Sequence, residues 1–368
     1  MSANVVIIMN DYTKMGGVEK VTSNLSKLFM SSNIKLFGII SLNQEFNEPK
    51  IQYPVEMPIF LMSIEEIQKF IQENKITHVI IQTQLLKETV EILKEIKELK
   101  VKKFPILHNT PYAYLNYFYE KNNLKGFLKY LKMILVTKQR SMYFFRKIVE
   151  LSDKFLLVSK KAEIELKSIL PIKFHNKISY IYNAQDIQKE NNVNFNKENI
   201  IVYAGRLAYD KQVFKAIQLL EPILKNNSDW SVEILGDGPE REIIEKFIID
   251  NNINNIFLRG SVDNVFEYLS RSKISFLYSL YEGLPTSMLE ASICKNVLIG
   301  SSSKGGISDI IENNVNGFIV ENDSDFVKKI ESLIENDILN TNLRNGNSIV
   351  LKKFNNTRIL ESWEKLFI

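Results

Sequence analysis

Short β-branched runs alternate with longer amphipathic stretches along most of the chain, a pattern that predicts parallel α/β units. In the first half, apolar runs predict strands over 5–9, 35–41, 78–82, 104–107, 154–158 and 178–181. Helical periodicity falls between them, over 18–30, 64–74 and 87–99. A second series of strands is expected over 200–203, 231–235, 255–259, 274–278, 296–300 and 317–320, with helices over 213–224, 240–251 and 265–271. The polar stretch 185–199 separates the two series and reads as a linker. The expected fold class is therefore α/β, with two doubly wound domains over 1–184 and 185–350. The amphipathic tail within 351–368, carrying Trp363, is expected to pack back on the N-terminal domain. Ligands of such sheets bind beyond the carboxyl ends of the strands, so the cleft between the domains is the expected site.

Length agrees with two domains, since 368 residues exceed one ordinary core. Cys294 is the single cysteine, which excludes an internal disulfide framework and fits a reducing compartment. The apolar run 5–9 has neither a basic lead nor a cleavage site, and no run approaches membrane-spanning length. A formal net charge of +4 is too modest to argue for nucleic acid.

The most informative stretch is 278–294, YSLYEGLPTSMLEASIC. An apolar strand runs into a loop with Glu282 and Gly283, and Pro285 is expected to open a helix carrying Glu290. N–H groups at a helix start attract anions, while carboxylates bind sugar hydroxyls, so the segment suits a nucleotide-sugar. The same residues also read as a surface helix with two solvated glutamates.

Further candidates sit where predicted strands end. VYAGRLAYDK, at 202–211, places Arg206 and Lys211 in a loop before a helix, a pair able to hold a diphosphate without metal. KMGGVEK, at 14–20, opens a helix with Gly16 and Gly17, letting backbone approach a phosphate or sugar closely. His108, in PILHNTPYAY, could donate to a substrate hydroxyl or stabilise developing charge. Each of these also reads as an ordinary loop residue. Gly236-Asp237-Gly238 lacks the third glycine of a dinucleotide fingerprint, and no phosphate-binding Gly-x-x-x-x-Gly-Lys-Ser/Thr loop occurs. Asp323-Ser324-Asp325 precedes a helical pattern and reads as a cap rather than a metal clamp. No His/Cys cluster has metal-ligand spacing. The stretch 121–147 carries eight lysines and arginines, no acidic residue, and interleaved aromatic and aliphatic residues, which suits an anionic membrane surface.

Taken in order, these pieces resemble the retaining glycosyltransferases of family 4. The matching residues are Gly16-Gly17-Val18-Glu19, His108, Ala204-Gly205-Arg206-Leu207, Lys211, Gly236-Asp237-Gly238-Pro239, Glu282-Gly283-Leu284-Pro285, Glu290-Ala291, Gly305-Gly306 and Asn316-Gly317. The resemblance implies a GT-B fold, with an N-terminal acceptor-binding domain and a C-terminal nucleotide-sugar domain. It implies that Arg206 and Lys211 hold and stabilise the leaving diphosphate, the kind of electrostatic help worth most in catalysis. Glu290 would accept from the ribose hydroxyls. Glu282, with the N–H groups near Gly283 and Leu284, would meet the donor sugar and phosphate. Gly16 and Gly17 would close on the same diphosphate, His108 would bind the donor sugar, and backbone at Gly260, Ser261 and Val262 would read the base. Asn183 matches the family's asparagine–glycine turn, but Ala184 replaces the glycine. Leu284 stands where phenylalanine is frequent, and Cys294-Lys295 replaces a helix end that usually has glycine.

The expected activity is metal-independent, retaining transfer of a hexose or N-acetylhexosamine from a UDP-sugar. The UDP-sugar is a substrate and no cofactor is expected. The acceptor is expected to be a glycan, lipid-linked or assembled at the membrane, in surface polysaccharide synthesis. The protein is expected to be cytoplasmic and peripheral at the inner face of the membrane. A sugar-nucleotide epimerase of the same fold, or a non-catalytic nucleotide- or glycan-binding protein, remain as alternatives.

Overall fold

The computed structural model describes residues 3–12, 16–42, 53–115, 133–185 and 196–368. The chain divides into two units, Met1–Asp186 with Phe354–Ile368, and Ile187–Lys353.

Among the described residues, the first unit contains strands β1 (Asn4–Met9), β2 (Lys35–Ser41), β3 (Ile59–Leu61), β4 (His78–Gln82), β5 (Lys102–Leu107), β6 (Phe155–Leu157) and β7 (Ile178–Tyr180). They form one parallel sheet in the order β3-β2-β1-β4-β5-β6-β7. Helices α1 (Gly17–Met30), α2 (Ile64–Glu73), α3 (Leu86–Glu95), α4 (Tyr112–Leu115), α5 (Lys138–Leu151) and α6 (Lys160–Ile169) connect them. β1 is buried from Val5 to Met9 on both faces, as a central parallel strand must be, and its β-branched residues suit the pleat. Ser63 and Glu66 form a reciprocal capping box that starts α2.

The second unit has strands β8 (Glu198–Ala204), β9 (Ser231–Leu235), β10 (Ile256–Gly260), β11 (Ser272–Leu277), β12 (Tyr281–Glu282), β13 (Val297–Ser301), β14 (Lys304–Gly305) and β15 (Gly317–Val320). The main sheet runs β10-β9-β8-β11-β13-β15, and β12 pairs with β14. Its helices are α7 (Val213–Asn226), α8 (Arg241–Asp250), α9 (Val265–Arg271), α10 (Thr286–Ile293), α11 (Ile307–Ile310), α12 (Asp323–Glu335) and α13 (Asp337–Leu351).

The closing helix α14 (Asn356–Phe367) belongs to the first unit. Trp363 is 2% exposed and meets Phe29 edge-on at 5.5 Å, while Phe367 lies 4.8 Å from the His78 ring and 5.7 Å from Phe104. Asn356 fastens the start of this helix to Gln185, accepting from its N–H and donating to its carbonyl.

In each sheet the strand order reverses beside the first strand, between β1 and β4 and between β8 and β11. Such a switch point splays the following loops apart and leaves a crevice at the carboxyl ends. Gly16 and Gly17 follow β1, Arg206 and Lys211 follow β8, and Glu282 follows β11.

Three short strands, β3, β12 and β14, carry no alternation long enough to be read from sequence. Two local expectations are corrected. The helix after Glu282 begins at Thr286, with extended Pro285 as its cap position, because proline at φ −70° and ψ 108° precedes the helical turn. The helix expected to follow the Asp-Ser-Asp motif starts at Asp323 itself and is capped by Asn322, whose side chain accepts from the Asp325 N–H.

Candidate functional site

In the second unit, two loops form the candidate donor site. β8 delivers the chain to Gly205 and Arg206, followed by a 3-10 turn at Tyr209–Lys211 and a left-handed Gln212 at φ 51°. A non-glycine residue in that region is uncommon, and it ends the turn so that α7 starts directly behind Lys211. β11 delivers the chain to Ser279, Glu282 and Gly283 before α10.

The loops are tied together by both backbone and side chains. Leu280 N–H donates to the Asp210 carbonyl at 2.8 Å. Lys211 Nζ donates to Glu282 Oε1 at 2.6 Å, and Ser279 Oγ donates to the same oxygen at 2.7 Å. Gly306 N–H caps the second loop by donating to the Gly283 carbonyl at 2.8 Å. Glu282 is 8% exposed and Glu290 7%, so neither is a solvated surface glutamate and the surface-helix reading fails. Burial of an ionised carboxylate requires partners, and for Glu282 those are the lysine and the serine. The Arg206 side chain is 65% exposed, and its guanidinium meets Asp210 Oδ1 at 3.3 Å. It stands at the surface beside the Lys211–Glu282 pair, with its planar fork available to an anion.

The Gly236-Asp237-Gly238 loop braces the floor. A Cβ on Gly236 would overlap the Gly205 carbonyl, and one on Gly238 the Leu207 carbonyl. Leu207 N–H donates to the Asp237 carbonyl at 2.9 Å, and Gly236 N–H to the Gly260 carbonyl at 2.7 Å. These glycines thus permit close contact between neighbouring loops. β10 ends at Gly260, whose φ of 70° suits glycine, and Ser261 and Val262 follow. Glu290 lies on α10, which starts at Thr286 two residues after Leu284, and the Met288 N–H of its first turn donates to the Pro285 carbonyl at 3.1 Å.

In the first unit, Gly16 caps α1 in an extended conformation and lacks a side-chain cap. A Cβ on Gly16 would overlap the buried Glu19 carboxylate, whereas Gly17 has open space where its Cβ would go. Packing therefore explains Gly16 but not Gly17. Residues 14 and 15 of the glycine motif lie outside the described residues. His108 follows β5, and its Nε2 lies 2.6 Å from Gln82 Oε1, which also accepts weakly from Thr22 Oγ1 of α1 at 3.4 Å. Gln82 thereby links His108 to the helix that Gly17 begins. Burial pushes the imidazole down to about 4, so it is neutral near pH 7 and offers one N–H.

The structure brings Lys211 and Glu282 into contact and sets Arg206 beside them through Asp210. It places Glu290, Gly283, Leu284 and the Gly260–Val262 backbone in the same unit at the carboxyl side of its sheet. Asp210, Ser279 and Gln82 were not singled out from sequence. Ser279 stands three residues before Glu282 and Asp210 directly before Lys211, so proximity in sequence was their only signal. Gln82 is a polar end to a fully buried apolar strand, and that contrast could have marked it.

Of the basic stretch 121–147, residues 121–132 lie outside the described residues. In the rest, Leu135, Val136 and Tyr143 are exposed beside exposed Lys138, Arg140 and Arg146. Among the described residues no helix is long and apolar enough to cross a membrane.

Residues 184–348 match the model of the family described as glycosyl transferases group 1. The chain is 32% identical over 177 residues to a Staphylococcus aureus poly(ribitol-phosphate) alpha-N-acetylglucosaminyltransferase, covering 47% of this chain and 36% of that one. It is 33% identical over 177 residues to a Campylobacter jejuni alpha-1,4-N-acetyl-D-galactosaminyltransferase, covering 47% and 48%. The latter is named for the acceptor GalNAc-alpha-(1->4)-GalNAc-alpha-(1->3)-diNAcBac-PP-undecaprenol. The matches thus span about a third to half of these curated relatives. Among solved structures, a mutant of S. aureus TarM in complex with fondaparinux, alpha-GlcNAc-glycerol and UDP superposes with a TM-score of 0.78 at 16% identity, over 99% of each chain. The fold, two Rossmann-like units, is GT-B.

Proposed function

The chain belongs to the glycosyl transferases group 1 family through residues 184–348, and from that premise we propose a retaining, metal-independent glycosyltransferase using a UDP-sugar. The observation that carries this reading is the Lys211–Glu282 pair at 2.6 Å, with Arg206 beside it, at the switch point of the second sheet. A diphosphate arriving there would meet one point charge, one planar fork and the start of α10. As the bond from the sugar to the diphosphate lengthens, negative charge grows on the leaving oxygen, and Arg206 and Lys211 stabilise it. Glu282, held by Lys211 and Ser279, would accept a donor-sugar hydroxyl. Glu290 would accept from the ribose, and backbone at Gly260, Ser261 and Val262 would read the base. In the first unit, His108, Gly16 and Gly17 are the further donor contacts that the family resemblance implies.

The relatives' printed names support the substrate classes: an N-acetylhexosamine as the moved sugar, UDP as the nucleotide and an undecaprenol-linked glycan as an acceptor. We assign this protein to surface-polymer synthesis at the inner face of the cell membrane, with the basic stretch 121–147 against anionic lipid. The test is UDP release from a panel of UDP-sugars without added metal, followed by the same assay on Arg206→Ala, Lys211→Ala and Glu290→Ala. Turnover with one UDP-sugar, lost in all three variants, is the expected result. Turnover intact in all three would overturn the site, and a preference for GDP or ADP sugars would overturn the nucleotide. For the membrane part, sedimentation with anionic vesicles should fall when Lys125, Lys129 and Lys132 are neutralised.

A further inference from the structure

A cavity of about 580 Å3 opens within the second unit where β11, β13 and β15 end. Its size falls in the range of small-molecule sites. Tyr278 and Ser279 line it from the first of these strands, Ser302 from the second, Asp323 from the start of α12, and Lys215 from α7.

The wall chemistry narrows the ligand. Lys215 Nζ lies 2.7 Å from Asp323 Oδ1, and the Tyr278 hydroxyl donates to that same oxygen at 2.5 Å. Glu321 on the rim adds a second carboxylate beside Asp323, so carboxylates outnumber Lys215 at this wall. Repulsion therefore disfavours an anion. What the wall does offer is hydroxyls, amides and carboxylates in mixture, which supply both donors and acceptors. A sugar hydroxyl is both donor and acceptor, so a neutral polyol satisfies such a wall better than either an ion or an apolar group. Position adds a further constraint. Ser279 lines the cavity and donates to Glu282 Oε1, so the loop bearing the candidate donor-site carboxylate forms a shared wall.

We propose that this cavity is a subsite for a neutral sugar residue of the acceptor glycan, lying behind the loop that carries Glu282. The inference rests on the transferase reading. It makes the second unit a reader of the acceptor as well as holder of the donor.

The test uses the full chain, with UDP and a set of neutral oligosaccharides (chitotriose, maltotriose and galactotriose) as probes, followed by saturation-transfer NMR. Wild-type protein should contact at least one oligosaccharide, and the signal should persist in saturating UDP. Ser302 is exposed, so Ser302→Trp can place an indole in the cavity without disturbing the core. It should weaken the oligosaccharide Kd about tenfold and leave the UDP Kd within about twofold. Lys215→Met, which frees the Asp323 carboxylate, should also weaken oligosaccharide binding while UDP binding holds. The proposal is overturned by the absence of any oligosaccharide signal, by a signal that UDP erases, or by one that Ser302→Trp leaves unchanged. Stronger binding of glycerol phosphate than of every neutral sugar, lost in Ser302→Trp, would overturn it as well. UDP binding without oligosaccharide contact sinks only this subsite. Oligosaccharide contact without UDP binding sinks the donor assignment and supports the cavity as a sugar site.

Discussion

Lys211 Nζ and Glu282 Oε1 lie 2.6 Å apart, although 71 residues separate them in the chain. The two loops they belong to leave adjacent strands, β8 and β11, so the contact spans the switch point of the sheet. The lysine is thereby aimed before any ligand arrives, and the carboxylate is held in its buried position. Lys211→Ala should lower donor turnover by about 10² to 10³, the usual loss when a preorganised charge at a leaving group is removed. Glu282→Gln should keep the fold and weaken sugar selection. In the double variant the losses should fall short of the sum, because each single change already disrupts the other partner. Steady-state UDP release for the four proteins checks this, and strictly additive losses would show that the pair does not act together.

Gly16 and Gly17 are neighbours with opposite expectations. Gly16→Ala sets a methyl against the buried Glu19 carboxylate and should cost stability, in the range of about 1–3 kcal/mol for overpacking. Gly17→Ala meets open space within its unit, so urea denaturation should change by less than about 0.5 kcal/mol. If the ligand's phosphate takes up that space, Gly17→Ala should still raise the KM for the UDP-sugar. An unchanged KM would return Gly17 to being a simple helix start.

The low-lying imidazole of His108 makes stability depend on pH. Its folded value of about 4 lies below the ordinary value of 6.5, so the unfolded chain binds more protons between those limits. Stability from this group is complete above pH 6.5 and is lost as pH falls through that window toward 4. The full loss is on the order of 3 kcal/mol. His108→Gln should flatten the slope of urea stability against pH between 6.5 and 4. A slope that persists unchanged would place the titration elsewhere.

Helix α10 ends in a Schellman arrangement, with Asn296 N–H donating to the Ala291 carbonyl and Lys295 N–H to the Ser292 carbonyl, each at 3.0 Å. Lys295 stands at φ 56°, in the left-handed region that favours glycine at the end of a helix. Lys295→Gly should relieve that strain and stabilise the second unit by up to about 1 kcal/mol. A thermal midpoint that falls would mean that the lysine side chain contributes more than its backbone costs.

The long strands, the helices between them and the order of the site motifs were legible because each rests on a local pattern. Parallel strands buried on both faces read as apolar runs, and β1 and β8 are clear examples. What could not be read was which side chains meet, since Lys211 finds Glu282, and His108 finds Gln82, only through sheet order. The glycine motifs were legible as positions but not as roles. Gly317 follows Asn316 in a family motif, yet a Cβ there would overlap the Leu298 carbonyl, while Asn316 Nδ2 donates to the Ile310 carbonyl at 3.0 Å. That motif locks β15 to β13 and carries structure rather than ligand. Ser279 and Asp210 stayed hidden because a serine or aspartate in a loop looks the same whether solvated or bonded.

Trp363 carries the last prediction, because it separates the stability of the first unit from the chemistry of the second. Its ring is buried against Phe29, and Phe367 one turn later meets Trp363 at 5.5 Å and packs over His78 and Phe104. The tail thus closes an aromatic cluster on α1, β4 and β5, of which the first two carry Gly17 and Gln82 and the third leads into His108. Trp363→Ala removes that core and should cost about 3–5 kcal/mol, the usual range for a buried tryptophan. The loss should fall on one cooperative unit. Calorimetry should show the transition of the first unit moving down while that of the second keeps its midpoint and its upward shift with UDP. A Trp363→Phe variant, which keeps an aromatic in the cluster, should recover most of the loss. If both transitions fall together, the tail supports the second unit as well, and the division of labour drawn from the cluster is wrong.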